Sequence, residues 1–169
     1  MPKSILFIIP GFFYIEDYQK LLYFNDIPLG TLQISSYLKE KANVKTNIID
    51  MRLEGEKNGA LAAKKPKKDE FKSAVIRVLE RENIEEYQYI GINCYTSFHY
   101  HQTQLIASIL KENFPQINLI VGGYHATAVP EDFSYNKSPF DFIIRGEAED
   151  SLTNLLRSNT KRGPNKINH

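Results

Sequence analysis

The side chains able to do chemistry cluster in a few short stretches. Cys94 to His101 (CYTSFHYH) brings a thiol, two aliphatic hydroxyls, two phenols and two imidazoles together. His99 and His101 form an HxH pair, which on a strand would point both rings to one side, as a zinc site requires. No carboxylate or third ligand sits at a useful spacing, so both read as surface or loop histidines. Cys94 ends an apolar run and reads as a packed thiol, because nothing in the sequence argues for a lowered pKa. Thr96 and Ser97 can donate to a phosphate or a ring nitrogen. Gly122-Gly123 lets a bulky ligand approach the backbone, since no Cβ stands in the way. His125 follows that pair and reads equally as a loop histidine or a ligand contact. GGYHATAVPED (Gly122–Asp132) is also, more plainly, a glycine turn leading into an Ala-rich helix start. Glu147, Glu149 and Asp150 open a helix, where each carboxylate offsets the positive dipole end by about 0.3–1 kcal/mol.

These groups need a scaffold, and hydropathy patterning supplies one. Ser4–Ile9 (SILFII) is a continuous apolar run stopped by Pro10-Gly11, which suits a strand covered on both faces. Pro28 sits at the start of a helix whose apolar residues Leu29, Leu32, Ile34, Tyr37 and Leu38 recur to Ala42. Val44–Met51 reads as a second strand. Arg52–Lys68 is polar, holds Gly55 and Gly59, and reads as a surface excursion ending in the cluster Lys64, Lys65, Lys67 and Lys68. Phe71, Val75, Val78 and Leu79 trace one face of a helix from Asp69 to about Glu86. Tyr89–Asn93, Asn118–Val121 and Phe140–Ile144 are the remaining strands, with helices at Thr103–Asn113 and Ser151–Leu156. Residues 1–157 form one α/β domain and 158–169 a polar tail or linker. Alternation of strand and helix gives right-handed βαβ units and a parallel sheet. The expected fold is flavodoxin-like (Rossmann-like), five parallel strands in the order 2-1-3-4-5 with helices on both faces. Ligands of such folds lie beyond the carboxyl ends of the strands.

Composition narrows the classes. The chain has 169 residues, 42% hydrophobic and 24% charged, with a formal net charge of +1. That is globular composition, with no field of one sign to hold nucleic acid. A single cysteine excludes a disulfide framework and a multi-cysteine metal site within these residues. No run is long enough to span a bilayer, which leads to the expectation of a cytoplasmic protein. The Gly-x-Gly-x-x-Gly fingerprint and the P-loop are absent. A phosphoacceptor domain needs acids after strand one and an aspartate after strand three; Pro10-Gly11 and Asn93-Cys94 stand there instead. Asp50 ends strand two and reads as a helix or loop cap.

PLGTLQISSYL (Pro28–Leu38), INCYTS (Ile92–Ser97), VGGYHATAVPED (Val121–Asp132) and IIRGEAEDSLTNLL (Ile143–Leu156) occur together in this order. In this the chain resembles the N-terminal cobalamin-binding domain of cobalamin-dependent radical S-adenosylmethionine enzymes. The resemblance implies a corrin on the carboxyl edge of the sheet, its nucleotide tail inserted beside strands three and four. Thr96 and Ser97 would then meet the tail, with Gly122 and Gly123 leaving room for it. His125, Ala126 and Thr127 would line the phosphate or the ring rim. Arg145, Gly146 and Glu147 would border the ring or face a partner domain, and Gly30 would allow close approach from the other side.

Two departures refine that implication. The Asp-x-His-x-x-Gly loop that supplies a cobalt ligand in cobalamin mutases does not follow Ile9. Cobalamin would accordingly be base-off, with no histidine below the metal; water, nothing, or a tyrosine between Tyr14 and Tyr23 would take that place. The CxxxCxxC triplet that holds a [4Fe-4S] cluster and its S-adenosylmethionine is also missing. The implied assembly is a cobalamin module joined, in cis or in trans, to a radical S-adenosylmethionine barrel, with a methyltransferase or related activity in the whole enzyme. No catalytic activity is expected of this chain alone. Two alternatives stay open: a cofactor-free protein-interaction module using the aromatic segment Phe12–Phe24, and a small hydrolase using His99 or His125.

Overall fold

The computed structural model describes residues 3–11, 27–57, 67–158 and 166–168. The apolar run Ser4–Ile9 forms strand β1, buried along its whole length, because both faces of the sheet are covered. Helix α1 (Leu29–Ala42) leads to β2 (Lys45–Asp50), and α2 (Met51–Lys57) follows at once. Helix α3 (Lys68–Arg81) precedes β3 (Tyr89–Asn93), and α4 (Tyr100–Asn113) precedes β4 (Asn118–Gly122). The short α5 (Tyr124–Ala128), β5 (Phe142–Ile144), α6 (Glu149–Arg157) and β6 (Lys166–Asn168) complete the described elements.

All pairings are parallel, and the order is β2-β1-β3-β4-β5 with β6 added outside β5. The flavodoxin-like 2-1-3-4-5 arrangement is therefore as expected, with one further short strand. Part of the segment read as a tail is ordered into the sheet, Ile143 lying opposite Ile167. Alternation along each strand divides the core. Leu6, Ile8, Ile90, Ile92, Leu119 and Val121 pack with Phe71, Val75, Val78 and Leu79 of α3 and Ile106 and Leu110 of α4. Ile5, Phe7, Ile120, Phe142 and Ile144 pack on the other face with Leu38 of α1 and Leu152, Leu155 and Leu156 of α6. The α3 stripe read from the sequence is thus the face it buries.

Several boundaries differ for identifiable reasons. Met51, expected to end the second strand, and residues 52–57, expected in a surface excursion, are helical. The Asp50 carboxylate accepts from the Arg52 N–H at 3.0 Å and from its guanidinium at 2.6 Å, capping the new helix as it begins. Met51 is buried beneath it. Helix α3 stops at Arg81, and Asn83 takes a left-handed φ of 48° before a 3-10 turn at Ile84–Glu86. Strand β5 is shorter than Phe140–Ile144, although Phe140 remains in the core. The aromatic segment Phe12–Phe24, with Tyr14 to Tyr23, and Lys64 and Lys65 lie outside the described residues.

Candidate functional site

Parallel strands deliver the segments after β1, β3, β4 and β5 to one edge. The two central ones are locked together. Cys94 N–H donates to the Gly122 carbonyl at 2.8 Å, and His125 N–H donates to the Cys94 carbonyl at 3.2 Å. Gly123 lies between them at φ +105°, ψ 178°, a region essentially reserved for glycine. A Cβ there would stand 2.5 Å from Asn93 Oδ1 and 2.6 Å from the Cys94 carbonyl oxygen. The room at Gly123 is therefore filled by the protein itself, which corrects the expectation that this glycine keeps space for a ligand. At Gly122 a Cβ would make only ordinary contact with Ile144, at 3.7–3.8 Å.

The β3 and β4 loops also share a side-chain chain. Ser97 Oγ lies 3.0 Å from His125 Nδ1, and His125 Nε2 lies 2.8 Å from Asp132 Oδ2. A carboxylate only accepts, so Nε2 carries the proton; in the neutral ring Nδ1 then accepts from the Ser97 hydroxyl. The ring is clamped edge-on by Phe133 and flanked by Tyr100. With the ring in that neutral form, Ser97 turns lone pairs, not its proton, outward. Chemically, the chain can orient the hydroxyl or take up its proton.

Thr96 is occupied as well. Its N–H donates to His99 Nδ1 at 3.2 Å, and its hydroxyl lies 3.1 Å from the same nitrogen. His99 is 5% exposed, not a surface histidine, because the 3-10 turn Ser97–His99 folds the ring inward. Burial, reinforced by the Arg52 charge, lowers its pKa to about 4, so the ring is neutral at pH 7. Cys94 is fully buried, as expected of a packed thiol, and burial pushes its pKa up to about 11.

The loops after β4 and β5 are tied through Thr127. Its hydroxyl accepts from the Gly146 N–H at 3.0 Å, and its carbonyl accepts from Arg145 Nε at 3.4 Å. Gly146 has a φ of +69° with open space on its side-chain side; Gly30, in the first turn of α1, has nothing within 4 Å of a built Cβ. Glu147 is exposed ahead of α6. Glu149 and Asp150 occupy the first turn of α6 and accept from Gln33 and Tyr37 of α1, both at 3.0 Å. Ala126 is fully buried in the core and presents no surface to a ligand, a correction to its expected place on the rim. The structure thus brings Ser97, His125, Thr127, Arg145 and Gly146 to one edge, while Thr96 and Gly123 serve the loops themselves.

Three further features were not singled out beforehand. Ile27, Leu29, Tyr95, Phe98 and Tyr124 are large apolar side chains left 51–70% exposed, all on segments of this edge, and the Tyr95 and Tyr124 rings meet at 5.1 Å. Asn93 donates to Thr31 Oγ1 at 3.2 Å, joining β3 to α1. Gln102, in the first turn of α4, is 1% exposed beside Gly11 at the end of β1. Only the exposed aromatics had a sequence signal, their position between strand end and helix start.

Among the described residues no group of His, Cys, Asp and Glu could hold a metal ion, and no helix is long and apolar enough to cross a membrane. No curated protein matches the chain. A family model described as the B12 binding domain matches residues 23–156, a span that contains the edge from Ile27 to Asp150. With the doubly wound sheet and an open apolar edge already in place, that match makes the chain a member of the B12-binding domain family, a cobalamin-binding module.

Proposed function

We propose that this module holds cobalamin base-off for a radical S-adenosylmethionine barrel, joined in cis or in trans, within an enzyme that methylates or rearranges an unreactive carbon or phosphorus centre. The observation that carries the reading is the exposed apolar rim at the carboxyl edge. A corrin presents a broad apolar face fringed with amides, and Ile27, Leu29, Tyr95, Phe98 and Tyr124 offer matching surface. Gly30 and Gly146 leave open space on the same edge, Ser97 offers an acceptor to the amide fringe, and Thr127 and Arg145 supply polar contacts for the fringe or the phosphate. Bound cobalamin supplies a cobalt able to carry a methyl group.

Two of the histidines support a cobalt without a ligand from either of them. His99 is buried, and both ring nitrogens of His125 are engaged. Support for the barrel partner comes from the four motifs in register. The test is titration with hydroxocobalamin at micromolar concentration, read by absorbance and by retention on desalting. Binding with a base-off spectrum is expected, weakened at least tenfold by Gly30→Leu with the fold intact. Absence of both spectral shift and retention would overturn the reading. The same exposed rim also suits a cofactor-free docking module; colourless protein that still captures a purified radical S-adenosylmethionine barrel would favour that alternative.

A further inference from the structure

A role for Gln102 rests on the cobalamin reading. Its side chain is 1% exposed, yet among the described residues neither Oε1 nor Nε2 has a hydrogen-bond partner. A buried primary amide left unpaired is costly, and the great majority of such groups in folded proteins are satisfied. The amide lies at the end of β1, where a Cβ on Gly11 would stand 3.2 Å from Oε1 and 3.3 Å from Nε2. The sheet order places β1 beside β3 while the chain runs from β1 to β2, so this is the switch point of the fold, where crevices form. Gly11 and Gln102 come from the two segments that diverge there.

We infer that Gln102 is a specificity-determining contact that recognises a primary carboxamide on the periphery of the corrin. One amide has a carbonyl acceptor and an N–H donor side by side, and its complement is a second amide, paired through two hydrogen bonds. A phosphate would satisfy only Nε2 and leave Oε1 unpaired. An apolar ring edge would satisfy neither. Gly11 brings its backbone, with no side chain, against the amide, where even a methyl group would press on it. The unpaired amide is thus a cost carried by the free protein and recovered on binding.

This arrangement predicts effects of opposite sign on stability and affinity. In the free full-length chain, Gln102→Leu and Gln102→Met remove an unpaired polar group and raise the thermal midpoint by about 2–4 °C. The same substitutions weaken cobalamin binding about tenfold, the worth of one to two hydrogen bonds. Monocarboxylate derivatives of cobalamin, each with one peripheral carboxamide replaced, identify the partner: one derivative should bind wild type about tenfold more weakly yet bind Gln102→Met no worse than cobalamin does. Wild-type protein that fails to bind cobalamin would overturn the cobalamin reading and this inference together. Cobalamin binding that Gln102→Met leaves unchanged, a lower midpoint in both variants, or equal sensitivity of wild type and variant to every derivative would overturn this inference alone.

Discussion

Acidification should destabilise this domain through one buried imidazole. His99 is neutral in the folded protein with a pKa lowered to about 4, chiefly by burial and then by the Arg52 charge, against an ordinary value of 6.5. Its Nδ1 accepts from the Thr96 N–H, an arrangement that a proton on that nitrogen would abolish. Because the folded value is the lower one, the unfolded chain takes up the proton first as pH falls. Stability is intact above about pH 6.5, declines as pH drops below that value, and levels off below about pH 4. The two values differ by an amount worth about 3 kcal/mol, with about 2 kcal/mol of it lost by pH 5. Urea denaturation at pH 7, 6, 5 and 4.5, for wild type and His99→Asn, separates this loss from that of the carboxylates. Asn places an acceptor where Nδ1 stands, and its packing defect is the same at every pH. The variant should be less stable at pH 7 and should lack about 2 kcal/mol of the wild-type decline by pH 5. Parallel stability curves, or a His99 ring proton titrating near 6.5 in the folded protein by NMR, would refute the reasoning.

Gly123→Ala should cost about 1–3 kcal/mol from backbone conformation alone, with the clash against Asn93 and Cys94 added; thermal unfolding checks it, and a wild-type midpoint would contradict the packing described. Asp132→Asn should leave the loop in place, lower stability by about 1 kcal/mol, and release the His125 ring from its single tautomer. Nitrogen-15 NMR of the imidazole reads that change directly, and an unaltered Nε2–H signal would show that Asp132 does not set it.

Much of the architecture was legible because the strands are short apolar runs with punctuation at each end. Ser4–Ile9 was read at its observed limits, and the Phe71, Val75, Val78 and Leu79 stripe was read as the face that α3 buries. Helix α2 was not legible, since Gly55 and a polar composition argue for a loop while its start depends on the Asp50–Arg52 contact. Strand β6 is too short for any period to register. In the site, the motif residues were legible and their duties were not. Burial of His99 follows from a turn that HxH spacing does not announce. The Ser97 hydroxyl's direction depends on Asp132, and the isolation of Gln102 depends on what three-dimensional packing fails to provide.

The left-over space at the two ends of the motif set bears on how related chains should be interpreted. A descendant that had abandoned its ligand would still have to retain glycine at 123, because Asn93 and Cys94 demand it whatever the edge carries. Glycine at this second position of the pair in a distant sequence therefore testifies to loop closure and says nothing of occupancy. Position 30 is the better witness: an empty helix turn tolerates any side chain once nothing has to lie against it, so drift there would mark lineages in which the cofactor was given up.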